Sequence, residues 1–328
     1  MVRAGSIFLV LIPTAAMGCA SITWNSTNAR NRLDQSEEIQ SELPSDRKDV
    51  DQKSDSEKEE KTPKTLLEWA IPATEKNGNN NGDEEEKRID CDRPHLPEAA
   101  STVGLGRAIL ESGYTYTSKG PAFLHQHSYP EALLRIGMLA EWFELRITQN
   151  FINQRNVPGS GEPASINGAQ DLVLGVKLGL TEQKQYMPEM ALILQMTVPS
   201  GSSNASNDTV LPGVNLDMGW EIIKNCFGME TVTSANGARD DANHTYVNFA
   251  QGITAVVDLT SKLQGFTEYD LFVPIGAISP EATHPQHYLV GGFMYYPNNN
   301  VELDIRAGVG LNDHANDFLV GSGFGVRY

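Results

Sequence analysis

The sequence predicts an all-β chain: a transmembrane, antiparallel, up-and-down β-barrel of about twelve strands, preceded by a disordered leader. Three observations carry that prediction. Through residues 101–328 apolar side chains recur at every second position over stretches of about ten residues, the 180° period of a strand. The intervening positions carry full charges on one stretch after another, so the second face is wet rather than packed as in a sandwich. The connections alternate between short and long, as in an outer-membrane barrel.

Composition narrows the alternatives. The chain has 328 residues and a net charge of −17, with 25 Lys+Arg against 42 Asp+Glu, which excludes the basic footprint of a nucleic-acid binder. A mean hydropathy of −0.34 excludes a polytopic helical membrane protein. It does not exclude a barrel, in which only alternate residues face lipid.

The N-terminus reads as an export signal at 1–20. Arg3 supplies the positive start, Ile7–Ala16 the short apolar run, and small residues follow. Two processing readings compete: lipidation at Cys19 in a degenerate lipobox, Ala16-Met17-Gly18-Cys19, or cleavage after Ala20. Residues 21–100 then read as a disordered acidic periplasmic leader, because runs such as DQKSDSEKEEK bury too little apolar surface to offset ordering entropy. One island, 62–72, has the makings of a short helix, with Thr62 as N-cap and Pro63 in the first turn. Its apolar residues Leu66, Leu67, Trp69 and Ala70 suit a docking face as well as a local cluster.

Strands are predicted at 107–118, 127–138, 140–150, 170–181, 187–198, 213–223, 226–235, 244–258, 261–272, 285–296, 300–311 and 316–328. Val301–Leu311 is the clearest: Val301, Leu303, Ile305, Ala307, Val309 and Leu311 oppose Glu302, Asp304, Arg306, Gly308 and Gly310. In Val214–Ile222, apolar residues likewise oppose Asn215, Asp217, Gly219 and Glu221. Short joints at Leu139, EQKQY, KN, LT and NNN define one end of the barrel, and longer segments such as SGSSNASNDTVLPG the other. Open edges cannot exist in hydrocarbon, so the sheet must close. The last strand ends in an aromatic, Tyr328, which resembles the signal read by the barrel assembly machinery. Tyr114, Tyr116, Trp142, Trp220, Tyr246, Tyr288 and Tyr296 near strand ends suit interfacial girdles.

Several segments resemble the outer-membrane transporter-like family known as the "Putative MetA-pathway of phenol degradation". These are GRAILESGYTYT (106–117), ALLRIGMLAEWFELRI (132–147), DLVLGVKLGL (171–180), ALILQMTVPSGS (191–202), FTEYDLF (266–272) and VELDIRAGVGLNDHANDFLVGSGFGVRY (301–328). The resemblance implies passage of small, often aromatic compounds across a bacterial outer membrane.

The inward charges are then Glu111, Glu131, Arg135, Glu144, Arg146, Lys177, Glu189, Asp217, Glu221, Glu268, Asp270, Glu302, Asp304, Arg306 and Arg327. They either set lumen selectivity or pair to fill a closed barrel. Six histidines, His125, His127, His244, His284, His287 and His314, map to the long-loop end. His125-x-His127 and His284-x-x-His287 have metal-ligand spacing, but rim histidines are more often plain polar residues, and neither a metal nor a cofactor is expected. Ser128 adjoins His127, but neighbours on a strand point to opposite faces, so no nucleophile–base pair and no enzyme is expected. Cys91 and Cys226 both fall at the periplasmic end and are expected to form a disulfide. The resulting expectation is a passive channel for small, hydrophobic or aromatic solutes, with outer-membrane lipid and the assembly machinery as partners. The alternative is a surface adhesin or structural outer-membrane protein.

Overall fold

The computed structural model describes residues 62–71, 87–120, 124–156, 165–240, 242–279 and 282–328. The export signal, the Cys19 lipidation site and most of the leader lie outside them. Lys61–Tyr328 forms one compact unit.

Among the described residues thirteen strands build one antiparallel sheet: β1 (Ala108–Lys119), β2 (Leu124–Gly137), β3 (Phe143–Asn156), β4 (Ser165–Ala169), β5 (Leu172–Thr181), β6 (Glu189–Val198), β7 (Leu211–Ile223), β8 (Phe227–Arg239), β9 (Thr245–Thr260), β10 (Leu263–Ile275), β11 (Gln286–Asn298), β12 (Val301–Gly310) and β13 (Phe318–Arg327). Each strand pairs with its sequence neighbour except β4 and β5, which both pair with β3, and β1 also pairs with β13, from Ile109↔Arg327 to Ser118↔Phe318, which closes the ring. β4 and β5 share one position. β3 pairs with β4 along Phe151–Arg155 and with β5 along Phe143–Thr148, so the barrel has twelve strand positions with one strand broken at Gln170–Asp171. Several strands run further toward the long-loop end than the alternation predicts. β3 continues to Asn156 and β4 occupies 165–169, both inside the segment expected to be loop.

The exterior is apolar. Leu303, Ile305 and Val309 on β12, Leu289, Phe293 and Tyr295 on β11, and Phe318, Val320 and Phe324 on β13 are all exposed, Ile305 to 57%. The interior is inverted: Glu111, Arg135, Glu144, Lys177 and Asp217 are all 0% exposed. In water, exposing such large apolar side chains forfeits about 1.5–3 kcal/mol each. In hydrocarbon the same face is the favourable one, and the closed ring leaves no open sheet edge against lipid.

The apolar core also sits inside the ring. Ile89, Cys91 and Val103 from the segment before β1 pack against Ile109, Val256, Phe266, Tyr288, Val290, Met294 and Tyr296. Tyr288 and Tyr296, expected in the girdle, therefore face inward, whereas Tyr114 and Tyr269 are exposed on the outer surface. The short helix is real but later than predicted. α1 spans Leu66–Ala70 and its N-cap is Thr65, whose hydroxyl accepts from the Glu68 N–H. It sits against the short-turn end, with the Trp69 ring 5.7 Å from Trp142 and Glu68 paired to Lys184 at 3.3 Å.

Candidate functional site

Residues 87–103, of which 87–100 read from sequence as leader and 101–103 as the start of the barrel, run through the barrel interior. The segment enters at the short-turn end. The Ile89 N–H donates to the Asn299 carbonyl (2.7 Å), Arg327 donates to the Lys87 carbonyl (2.9 Å), and the Arg88 guanidinium lies 4.1 Å from the centre of the Tyr296 ring. It rises to Pro94–Pro97 and descends to the same end, where the Thr102 hydroxyl meets the Glu141 carbonyl (2.5 Å). Its two limbs touch through Ser101 and Asp90 (2.5 Å). It is a re-entrant plug.

The plug has no strand or helix of its own, so its backbone groups need other partners. The inward charges supply them. Glu111 accepts the N–H groups of Asp92 (3.0 Å) and Arg93 (3.1 Å). Glu268 accepts from Leu96 (2.9 Å), Asp217 from Glu98 (2.9 Å) and Glu144 from Val103 (3.0 Å). Conversely, Arg135 donates to the Asp90 carbonyl (2.8 Å), Lys177 to Ala99 (2.8 Å) and Arg306 to Pro94 (2.5 Å).

Two ionic knots anchor it. Asp92 receives Lys177 (2.8 Å) and Arg135 (3.1 Å) on one oxygen and Arg146 on the other. Arg135 also binds Glu144 (2.8 Å), and Arg146 binds Glu98 (2.6 Å). Higher up, Arg93 bridges Glu131 (2.7 Å) and Asp304 (3.3 Å). A register shift between Tyr129 and Ala132 marks a bulge in β2, where Glu131 adopts φ 44°, and its carboxylate meets the Arg93 guanidinium. Arg93 fits because Gly113 and Gly323 flank it; a Cβ built on either would lie 2.2–2.3 Å from the guanidinium. His95 links Pro97 (2.6 Å) and Glu230 (3.3 Å).

Of the predicted inward residues, Asp270 and Glu302 are buried in the lumen with those already named. Glu189 is half-buried near the short turns. Two placements differ from expectation. Glu221 is exposed at the end of β7, where its carboxylate caps the Asn225 N–H of the turn (2.8 Å). Arg327 sits at the rim, holding Asn300 and the start of the plug. Both lie too near a strand end for alternation to bring them inside. The expected Cys91–Cys226 disulfide does not form. Cys91 is a free thiol inside the barrel beside Gly325, whereas Cys226 lies in the β7–β8 turn.

The sequence reading missed Asp92, Arg93, His95, Glu98 and Glu230. For the first four the available signal was the run Asp92–Glu98, DRPHLPE, which mixes both charges with prolines and lacks the Gly/Asn/Ser of the linker before it. Glu230 was hidden because its inward neighbour on β8 is Val232, packed on the plug, while the outward face carries Thr231 and Thr233.

Above the plug lies a cavity of about 940 Å³. Asp92, Arg93, His95, Leu96 and Glu98 form its floor. Its walls mix apolar groups (Tyr246, Phe272, Tyr288, Val290, Leu319) with Gln195, Asn248, Glu268, Asp270 and Arg306. Arg239, Asp240, His284 and Asn316 stand at the long-loop mouth. Asp240 ties that mouth together, accepting the N–H groups of His244, Ile278 and Ser279. Asp171, at the break between β4 and β5, does the same for Ser200–Asn207. Its burial works against ionisation, but bonds from the Ser206 hydroxyl and the Asn207, Gly201 and Ser200 N–H groups outweigh that and hold its carboxyl below the usual value. Among the described residues no group of three His, Cys, Asp or Glu side chains could hold a metal. Ser128 and His127 part as the strand period requires: Ser128 meets Asn150 inside, His127 meets Tyr114 outside.

A closed twelve-position barrel with an apolar exterior, a charged interior and long loops at one end defines a bacterial outer-membrane β-barrel of the channel and porin kind. The long-loop end then faces the cell exterior and the short turns face the periplasm. The solved COG4313 outer membrane channel from Pseudomonas putida F1 shares the fold, with a TM-score of 0.59 at 10% identity over 72% of this chain and 100% of that one. The NanC porin (TM-score 0.43, 8% identity, 67% and 98% covered) and the KdgM porin (0.40, 9%, 66% and 98%) are less similar. No curated protein matches the chain by sequence. The chain belongs to the family described as "Putative MetA-pathway of phenol degradation", whose model matches residues 91–328 and so takes in most of the plug.

Proposed function

We propose that this protein is a gated outer-membrane channel for small, largely apolar organic solutes, with residues 87–103 as the gate. The observation that carries this reading is the vestibule. It is large enough for a small organic molecule, its wall offers aromatic and aliphatic surface beside a few fixed polar groups, and its floor is a separate piece of chain rather than the barrel wall. Solute enters from the long-loop end, rests on the plug tip, and passes when the plug withdraws. The barrel moves its solute unchanged. β13, together with Tyr328 just after it, is the segment we assign to the assembly machinery, and the export signal delivers the chain to it.

Gating is favoured by the imperfect plug interface. Asp217, Asp270, Glu302 and Arg306 each retain one buried polar atom without a hydrogen-bond partner, groups that water would satisfy once the plug leaves. The test is flux of small aromatic probes into liposomes carrying the full-length protein, with bilayer conductance recorded in parallel. We expect slow probe entry and brief openings in the wild type, both raised when Arg93 is displaced by Gly323→Ala. Absence of flux in both proteins refutes the channel reading. Constant flux with no change on plug displacement refutes the gate.

A further inference from the structure

The outer surface of β13, β1, β2 and β3 near the long-loop end is layered. The strand register places Phe318, Ser118, His125 and Arg155 side by side, nearest the loops. One step down come Val320, Tyr116, His127 and Asn153, and one step further Ser322 and Tyr114, then Tyr129 and Phe151 across the β2–β3 pair. Each tyrosine of β1 reaches up to a histidine of β2. The Tyr116 hydroxyl meets His125 Nδ1 at 2.6 Å and the Tyr114 hydroxyl meets His127 Nδ1 at 2.8 Å. With the hydroxyl donating to Nδ1, a neutral imidazole must carry its proton on Nε2 and so offers that N–H elsewhere. Arg155, exposed in register beside His125, has no acidic partner among the described residues. The nearby Asp317 carboxylate is taken by the Gly120 N–H (2.7 Å), and the Lys119 ammonium by the His314 carbonyl (2.9 Å).

We propose that this face binds the phosphorylated headgroup of an outer-leaflet lipid, through His125, His127 and Arg155. Charge complementarity favours an anion: two imidazole donors and a guanidinium cluster here on a chain of net charge −17. Continuity favours a lipid as its bearer. The patch runs directly down into aromatic rings (Tyr129 against Phe151, 5.4 Å) and then the apolar belt, the order of chemistry an acylated phosphate presents from water to hydrocarbon. A soluble partner would meet the headgroup layer and the acyl chains below it.

The test is native mass spectrometry of the full-length protein in detergent, titrated with lipid A bearing its phosphates, with dephosphorylated lipid A, and with inorganic phosphate. We expect the phosphorylated lipid to be retained about tenfold or more better than the dephosphorylated one, as one charge-assisted bond supplies, and inorganic phosphate to be retained weakly. Arg155→Ala, and separately His125→Gln with His127→Gln, should each erase most of that preference, with heat-modifiability of the barrel on gels reporting that both variants fold. Equal retention of the two lipids, an undiminished preference in both variants, or phosphate alone binding as well as the lipid would each overturn the proposal. So would a dimer abolished by the same substitutions, which would assign the face to a second copy of this chain.

Discussion

Replacing Asp92 with Asn keeps the shape of the plug and removes one charge from its lower knot. The three cations it serves are not equally affected. Arg135 keeps Glu144 at 2.8 Å and Arg146 keeps Glu98 at 2.6 Å, but Lys177 loses the one carboxylate it pairs with among the described residues and keeps only neutral acceptors, the Ala99 carbonyl and the new amide oxygen. At 2.8 Å the Lys177–Asp92 attraction is about 6 kcal/mol at an effective dielectric of 20. Much of that is offset by the desolvation both groups have already undergone, so breaking such a buried pair costs about 3–5 kcal/mol net. If the plug leaves as a unit, the whole loss falls on the seated state. The open fraction then rises by roughly two to three and a half powers of ten. Single-channel recording gives the open fraction directly, and adding Lys177→Met should recover most of the closure by removing the stranded ammonium. An Asp92→Asn channel that stays as closed as the wild type would refute the reasoning, as would a double variant no more closed than the single one.

Other outcomes follow from neighbouring geometry. Gly323→Ala places a methyl against the Arg93 guanidinium, which must leave its seat between Gly113 and Gly323 and give up its pairing with Asp304 and Glu131; with that upper anchor loosened, Cys91, unreactive toward a maleimide in the folded wild type, should label in the variant, as read by peptide mass spectrometry. Asp171 anchors the Ser200–Asn207 loop as a carboxylate held below its ordinary value. The loop is therefore fully stabilised above the usual Asp range and released as pH falls through the depressed value, which limited proteolysis with an acid protease should report as new cleavage within 200–207 only at pH below the ordinary Asp value. Ile305→Arg puts a charge on the lipid face in mid-strand and should destabilise the barrel by about 2–4 kcal/mol in denaturant titrations from lipid vesicles.

The barrel was legible because its solvent is two-sided. On β12 every outward residue is apolar or alanine and every inward one charged or glycine, so the period cannot be misread. β11 resists the same reading. Both its faces are apolar: Leu289, Phe293 and Tyr295 meet lipid while Tyr288, Val290, Met294 and Tyr296 meet the plug core. The charges were legible as inward but their use was not. Glu111 and Glu268 in isolation read as lumen lining; only the fold shows that they stand in for the sheet partners the plug lacks. A segment whose backbone hydrogen bonds go largely to side chains of distant strands has no periodic signature, and its charge and proline content match those of a solvated linker.

Because both limbs of the plug return to the short-turn end, tension applied to the chain before Lys87 is not shared by all its bonds at once. The rim contacts of Lys87 and Ile89 give first, then the Asp92 knot, then Arg93, each a separate rupture with a modest force. The descending limb stays seated on Asp217, Lys177 and Glu144 as a guide for return. The mouth facing the cell exterior offers no such handle: a push there loads the ion pairs together. If the plug is the proposed gate, the same interface is thus mechanically weak toward the periplasm and strong toward the outside.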